Sequence, residues 1–148
     1  MNLEEFESAL NKVEFVDLIG SVDQASIVKA GQNLGVTLPT QYKSFIERFG
    51  GGGIGPESII GLGGSDHLNF EFMTSLLRTK HPATFPKTFI PIRSDGFGNY
   101  DCIDLESVNE ARENAIVEWS HDGGPRRILA GDFFSWLDEF MALVYEGQ

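Results

Sequence analysis

Apolar side chains recur along this chain at two different periods, and the change from one to the other divides it. Leu3, Phe6, Leu10 and Val13 stand three and four positions apart, which places them on one face of an N-terminal helix. Ile27, Ala30 and Leu34 form a second stripe after Ser21, with Asp23 positioned to cap the first turn and Gly35 to stop the helix. Leu38, Tyr42, Phe45, Ile46 and Phe49 predict a third helix. It opens at Pro39, which the first turn tolerates because its missing N–H has no intrahelical partner there, and it ends at Gly50 to Gly53.

Beyond those glycines the pattern shortens to β-type runs: Ser58 to Leu62, Thr88 to Ile92, Tyr100 to Leu105 and Ala115 to Trp119, separated by Gly, Asn, Asp and Pro. Between the first two, Leu68, Phe72, Leu76 and Leu77 give residues 66–79 a helical spacing that Pro82 and Pro86 bring to an end. The last stripe is Phe133, Leu137, Phe140, Met141 and Val144, behind a capping Asp132. Antiparallel strands grouped in the middle, with helices gathered at both chain ends, predict an α+β fold with a central antiparallel sheet. No repeat, linker or low-complexity tract interrupts it, so residues 1–148 are expected to form one domain.

Charge adds a direction to this picture. The chain of 148 residues carries a formal net charge of −11, and residues 101–148 hold 11 acidic side chains against 3 basic ones. Such a surface disfavours a bare phosphate backbone or an anionic membrane as partner and favours a basic protein. The acidic start, Met1 to Glu7, lacks the basic end of a signal peptide, and no apolar run approaches the roughly 20 residues that span a bilayer. A cytoplasmic protein is the expectation.

Candidate chemistry is thin. Gly50, Gly52 and Gly55 satisfy G-x-G-x-x-G in form, but they follow a helix instead of a strand and lack the Lys-Ser/Thr of a phosphate-binding loop, so a turn is expected. Asp95-Gly96-Phe97-Gly98-Asn99 offers only part of a calcium loop, and the same residues suit a tight turn between strands. His67, His81 and His121 are too scattered for a local metal site, and His121-Asp122 is a base and orienter without a nucleophile. Cys102, alone in a strand-like run, reads as a small buried hydrophobe, while Trp119 and Trp136 read as core. No catalytic group, metal or cofactor is expected.

Three segments in order carry a family likeness: Leu34 to Phe45 running to Phe49-Gly50-Gly51; Phe89 to Ile92 with Asp95 to Leu105; and Val117 to Asp122 followed by Asp132 to Leu137. Together they resemble the SUKH superfamily, in the branch typified by the fungal cell-wall-synthesis regulator and its bacterial relatives. Its recurring residues map onto Gly35, Leu38, Pro39, Gly98, Asp104, Trp119 and Asp132-Phe133. Asn99-Tyr100 departs from the pattern, which has an acidic residue after the glycine.

The resemblance implies an α+β fold without catalytic activity and, for many bacterial members, a role as immunity proteins that bind and neutralise a cognate toxin, often a nuclease. The partner would then be a basic toxin domain, met by a monomer or homodimer, with no direct contact to nucleic acid or membrane. A cytosolic scaffold or regulator of the cell-wall type is the other reading. Because nuclease clefts are basic, the toxin-facing surface is expected among Asp101, Asp104, Glu106, Glu110, Glu118 and Asp122. Strand alternation places Asp101 and Asp104 on opposite faces, so the set cannot all point one way.

Overall fold

A computed structural model describes residues 1–148. The three N-terminal helices stand where the stripes place them: α1 Leu3–Leu10, α2 Gln24–Leu34 and α3 Thr40–Phe49. Asn2 and Glu5 close a capping box on α1, and the Asp23 carboxylate accepts from the Ser26 N–H at 2.7 Å to cap α2. The fourth helical region is a 3₁₀ turn, Asp66–Leu68, followed by α4, Phe70–Lys80. Its buried face is Phe70, Met73, Thr74 and Leu77, whereas Phe72, expected inside, lies 43% exposed. Asn69 caps the helix through the Glu71 and Phe72 N–H groups, and packing selects the face of Phe70, Met73 and Leu77, which leaves Phe72 outside. α5, Phe133–Gly147, closes the chain.

The strands form two antiparallel sheets instead of one central sheet. The smaller has the order β1 (Val16–Leu18), β2 (Gly52–Ile54), β3 (Glu57–Ile59). The larger is a meander of β4 (Phe89–Ser94), β5 (Asn99–Val108), β6 (Asn114–Ser120) and β7 (Gly124–Ala130). The Ile60 N–H donates to the Ile92 carbonyl at 2.8 Å, tying the small sheet to the edge strand β4.

Three strands escape the period-two pattern for physical reasons. β1 is three residues long and largely exposed, and β2 begins with two glycines, so neither displays an alternation. The segment expected as a plain turn at 50–53 is therefore partly strand. β7 reads Gly-Pro-Arg-Arg-Ile-Leu-Ala and is the free edge of the larger sheet, where Pro125 need cost no ladder bond.

One main core draws on all five helices and both sheets, with Phe6, Ile27, Phe45, Met73 and Phe140 meeting Ile54, Ile59, Ile90, Ile103 and Ile116. A second cluster covers the other face of the larger sheet: Leu77, Phe85, Phe89, Cys102, Val117 and Trp119. Trp119 is anchored there by its Nε1–H, which donates to the Thr84 carbonyl at 2.9 Å. Burial pushes the Cys102 thiol well above its ordinary range, in keeping with a packing role.

Main chains cross closely where α3 ends. A Cβ on Gly61 would overlap the Gly50 carbonyl, a backbone group that no rotamer change can move aside. Gly61→Ala should therefore cost about 1–3 kcal/mol in urea unfolding, as overpacking does. Gly131→Ala, with open space around the new methyl, should stay within about 0.5 kcal/mol of the parent.

Candidate functional site

The four strands of the larger sheet and helix α5 build a groove. In the larger sheet Arg93 lies opposite Asp101, and Asp101 lies opposite Glu118. The row continues outward to Arg127 on β7, whose Nε approaches Glu118 Oε1 at 3.7 Å, and inward to Glu57 on β3, which accepts two bonds from the Arg93 guanidinium at 3.0 and 3.2 Å. Helix α5 runs over this row. Between helix and strands is a cleft of about 470 Å³ lined by Asp95, Asp101, Glu118, Glu139 and Glu146, with Arg93 and Arg127 the only cations.

The position of α5 follows from its first turn. Asp132 Oδ1 accepts from the Ser135 N–H at 2.9 Å, the cap expected from sequence. Gln41, at the start of α3, donates from its side-chain amide to Asp132 Oδ2 at 3.2 Å and accepts from the Phe134 N–H at 2.9 Å. Its own backbone N–H donates to Glu113 at 3.1 Å. These bonds from Ser135 and Gln41 overcome partial burial and hold the Asp132 carboxyl below its usual range, whereas burial dominates at Glu113 and raises it. With its N-terminus fixed, α5 lays Phe133, Trp136 and Phe140 in a row of tilted ring contacts at 5.5 and 5.2 Å.

Trp136 connects helix to groove. Its Nε1–H donates to Asp101 Oδ2 at 2.9 Å, and the Arg93 guanidinium reaches the same oxygen at 3.6 Å. Only 8% of Asp101 is exposed. Burial raises its pKa; the Trp136 bond and Arg93 pull it back, while Glu118 and Asp95 push it further up. Arg93 is the converse case, where Glu57, Asp101 and Asp95 outweigh burial and strengthen the positive charge.

Of the six carboxylates expected to face a partner, the groove gathers two, Asp101 and Glu118. Asp101 is largely buried, because its strand position turns it towards α5; Trp136 and Arg93 take up Oδ2, and the residue faces the groove with what remains. Asp104 is half-buried on the opposite face of β5 and accepts from the Glu106 N–H. Glu106 and Glu110 are exposed towards the far end of the β5–β6 hairpin, and Asp122 lies in the β6–β7 turn. Glu139 and Glu146 were not expected here. Their spacing of seven puts both on one side of α5, a signal present in the sequence beside the buried stripe.

The neighbouring β4–β5 turn is rigid. Asp95 Oδ1 accepts from the Phe97 and Asn99 N–H groups at 2.7 and 3.1 Å, and Oδ2 accepts from the Asn99 amide at 2.7 Å. These bonds, with Arg93 nearby, lower the Asp95 pKa against the opposing effect of burial. The carboxylate is used by the turn itself, in line with the turn reading of 95–99. Gly98, at φ 90°, passes beneath the His121 ring, which occupies the space a side chain would need. Phe97 projects from the tip, 82% exposed.

The raised Asp101 pKa fixes the sign of a pH effect. The folded state holds that proton more tightly than the unfolded chain, so this group's contribution is full below about pH 4 and falls as pH rises through the elevated value. Asp101→Asn keeps an acceptor for Trp136 but cannot ionise. Its stability relative to the parent should therefore climb between about pH 4 and pH 7 in urea titrations. A relative fall over that interval would mean that Arg93 holds Asp101 ionised.

The SMI1-KNR4 cell-wall family model, SUKH_5, matches residues 3–142. Among solved structures, the fold is similar to that of a protein from Pseudomonas syringae pv. tomato, with a TM-score of 0.66 and 18% identity, covering 93% of this chain and 96% of that one. At that identity the likeness is one of fold. The curated proteins give no match. With the family match running from the first helix into the last, and the α+β architecture in agreement, this chain belongs to the SUKH_5 branch of the SMI1-KNR4 family.

Proposed function

We propose that this chain is a non-catalytic immunity protein that binds a cognate toxin domain, most naturally a nuclease, through the acidic groove between α5 and the larger sheet. The observation that carries the reading is the concentration of five carboxylates against two guanidinium groups along one cleft. A nuclease cleft is basic because it holds phosphates, and a complementary field speeds encounter and excludes other partners. Groups that might otherwise do chemistry have structural duties: Asp95 closes a turn, Asp132 caps α5, and Cys102 is buried. No helix is long and apolar enough to cross a membrane, which is compatible with the cytoplasm as the place of action. The family's name favours a second reading, a scaffold or regulator in cell-wall synthesis.

Co-expression separates the two. Expressed with the toxin domain encoded beside it, the chain should restore growth and co-purify as a stable complex. Failure of both would transfer the role to the scaffold reading. Reversing the exposed pair, Glu139→Lys with Glu146→Lys, should slow association by about tenfold at low salt and by less at high salt, read by stopped flow.

A further inference from the structure

Asp101 and Glu118 face each other directly across adjacent antiparallel strands, an arrangement that costs stability when both are ionised. Nothing in the chain fully compensates them. Arg93 stops 3.6 Å from Asp101 and Arg127 stops 3.7 Å from Glu118, distances outside hydrogen-bond reach. The Arg127 side chain is 73% exposed and therefore easily displaced. Both approaches to Asp101 fall on Oδ2; no protein hydrogen bond reaches Oδ1, and the residue lines the groove. A carboxylate with one oxygen free of protein hydrogen bonds, beside a second that is only loosely paired, is a receptor for one cation.

We propose that the groove receives a single arginine side chain presented by the partner protein, its guanidinium bridging Asp101 Oδ1 and Glu118 in place of Arg127. A planar fork of five donors serves two carboxylates across one rung better than the point charge of an ammonium. Its aliphatic stem would lie along Ala142 and Leu143 on the α5 wall. The cleft, at about 470 Å³, has the volume of a small-ligand site. This inference rests on the partner-binding reading above and names the group that reading leaves open.

The two indoles make the test specific. Trp136 Nε1–H is bonded to Asp101 at the groove, whereas Trp119 Nε1–H is bonded to Thr84 on the opposite face of the sheet. Titrating the ¹⁵N-labelled full chain with acetyl-arginine amide should shift the Trp136 indole resonance to saturation and leave that of Trp119 in place. Acetyl-citrulline amide, similar in shape but uncharged, should shift neither, and acetyl-lysine amide should bind more weakly than arginine. Glu118→Gln should weaken the arginine response about tenfold, the scale of one charge-assisted contact, and its own spectrum reports whether it is folded. Arg127→Ala, which removes the internal competitor, should tighten it. Equal movement of both indoles, equal responses to citrulline or lysine, or an unchanged Glu118→Gln titration would overturn the proposal. If the toxin is bound and neutralised while Trp136 ignores the probe, the arginine site falls and the immunity reading stands. If the probe docks but no toxin is rescued, the reverse holds.

Discussion

Gln41 joins three parts of the chain that are far apart in sequence: its backbone N–H meets Glu113 at the end of the β5–β6 turn, and its amide both donates to Asp132 and accepts from Phe134. An N-cap of the Asp132 kind contributes about 1 kcal/mol by itself, but its larger effect here is geometric. It sets where α5 begins and in which direction it leaves. From that starting point Trp136 arrives at Asp101, and the row of rings from Phe133 to Phe140 finds the core. The groove is the gap this helix leaves against the strands.

Within that gap the local electrostatics run against stability. A sheet optimised only to fold would place an apolar residue or an opposite charge across from Asp101. This one keeps a second carboxylate there, and relies on Trp136 and the ion pair with Arg93 to make the burial tolerable. Departures from local consistency of this sort concentrate where a protein meets its partner.

Sequence reading recovered the helices and the inner strands because each buries a stripe that the solvent-facing side interrupts. α3 and α5 display it over their whole length, and Asp23, Gly35 and Asp132 mark boundaries that the backbone respects. Elements that bury little carry no such mark: the exposed β1, the glycine-led β2 and the edge β7. α4 was found but rotated, because Phe70, Leu76 and Phe72 offer competing apolar faces and only tertiary packing chooses that of Phe70, Met73 and Leu77. The site was less legible than the fold. Net charge pointed to the last third of the chain, yet which carboxylates meet depends on strand register and on the seating of α5, and both are tertiary. Asp101 with Glu118 could not be paired from spacing, while Glu139 with Glu146 could have been.

The free edge at β7 bears on how the protein behaves when crowded with copies of itself. An open strand is a template on which another sheet can grow. Here that edge carries a proline without an amide hydrogen and two adjacent arginines, so a second copy brought alongside would meet missing donors and its own positive charge. Sheet-on-sheet polymerisation is thereby disfavoured at high concentration, and an edge that looks unfinished acts as a guard against aggregation.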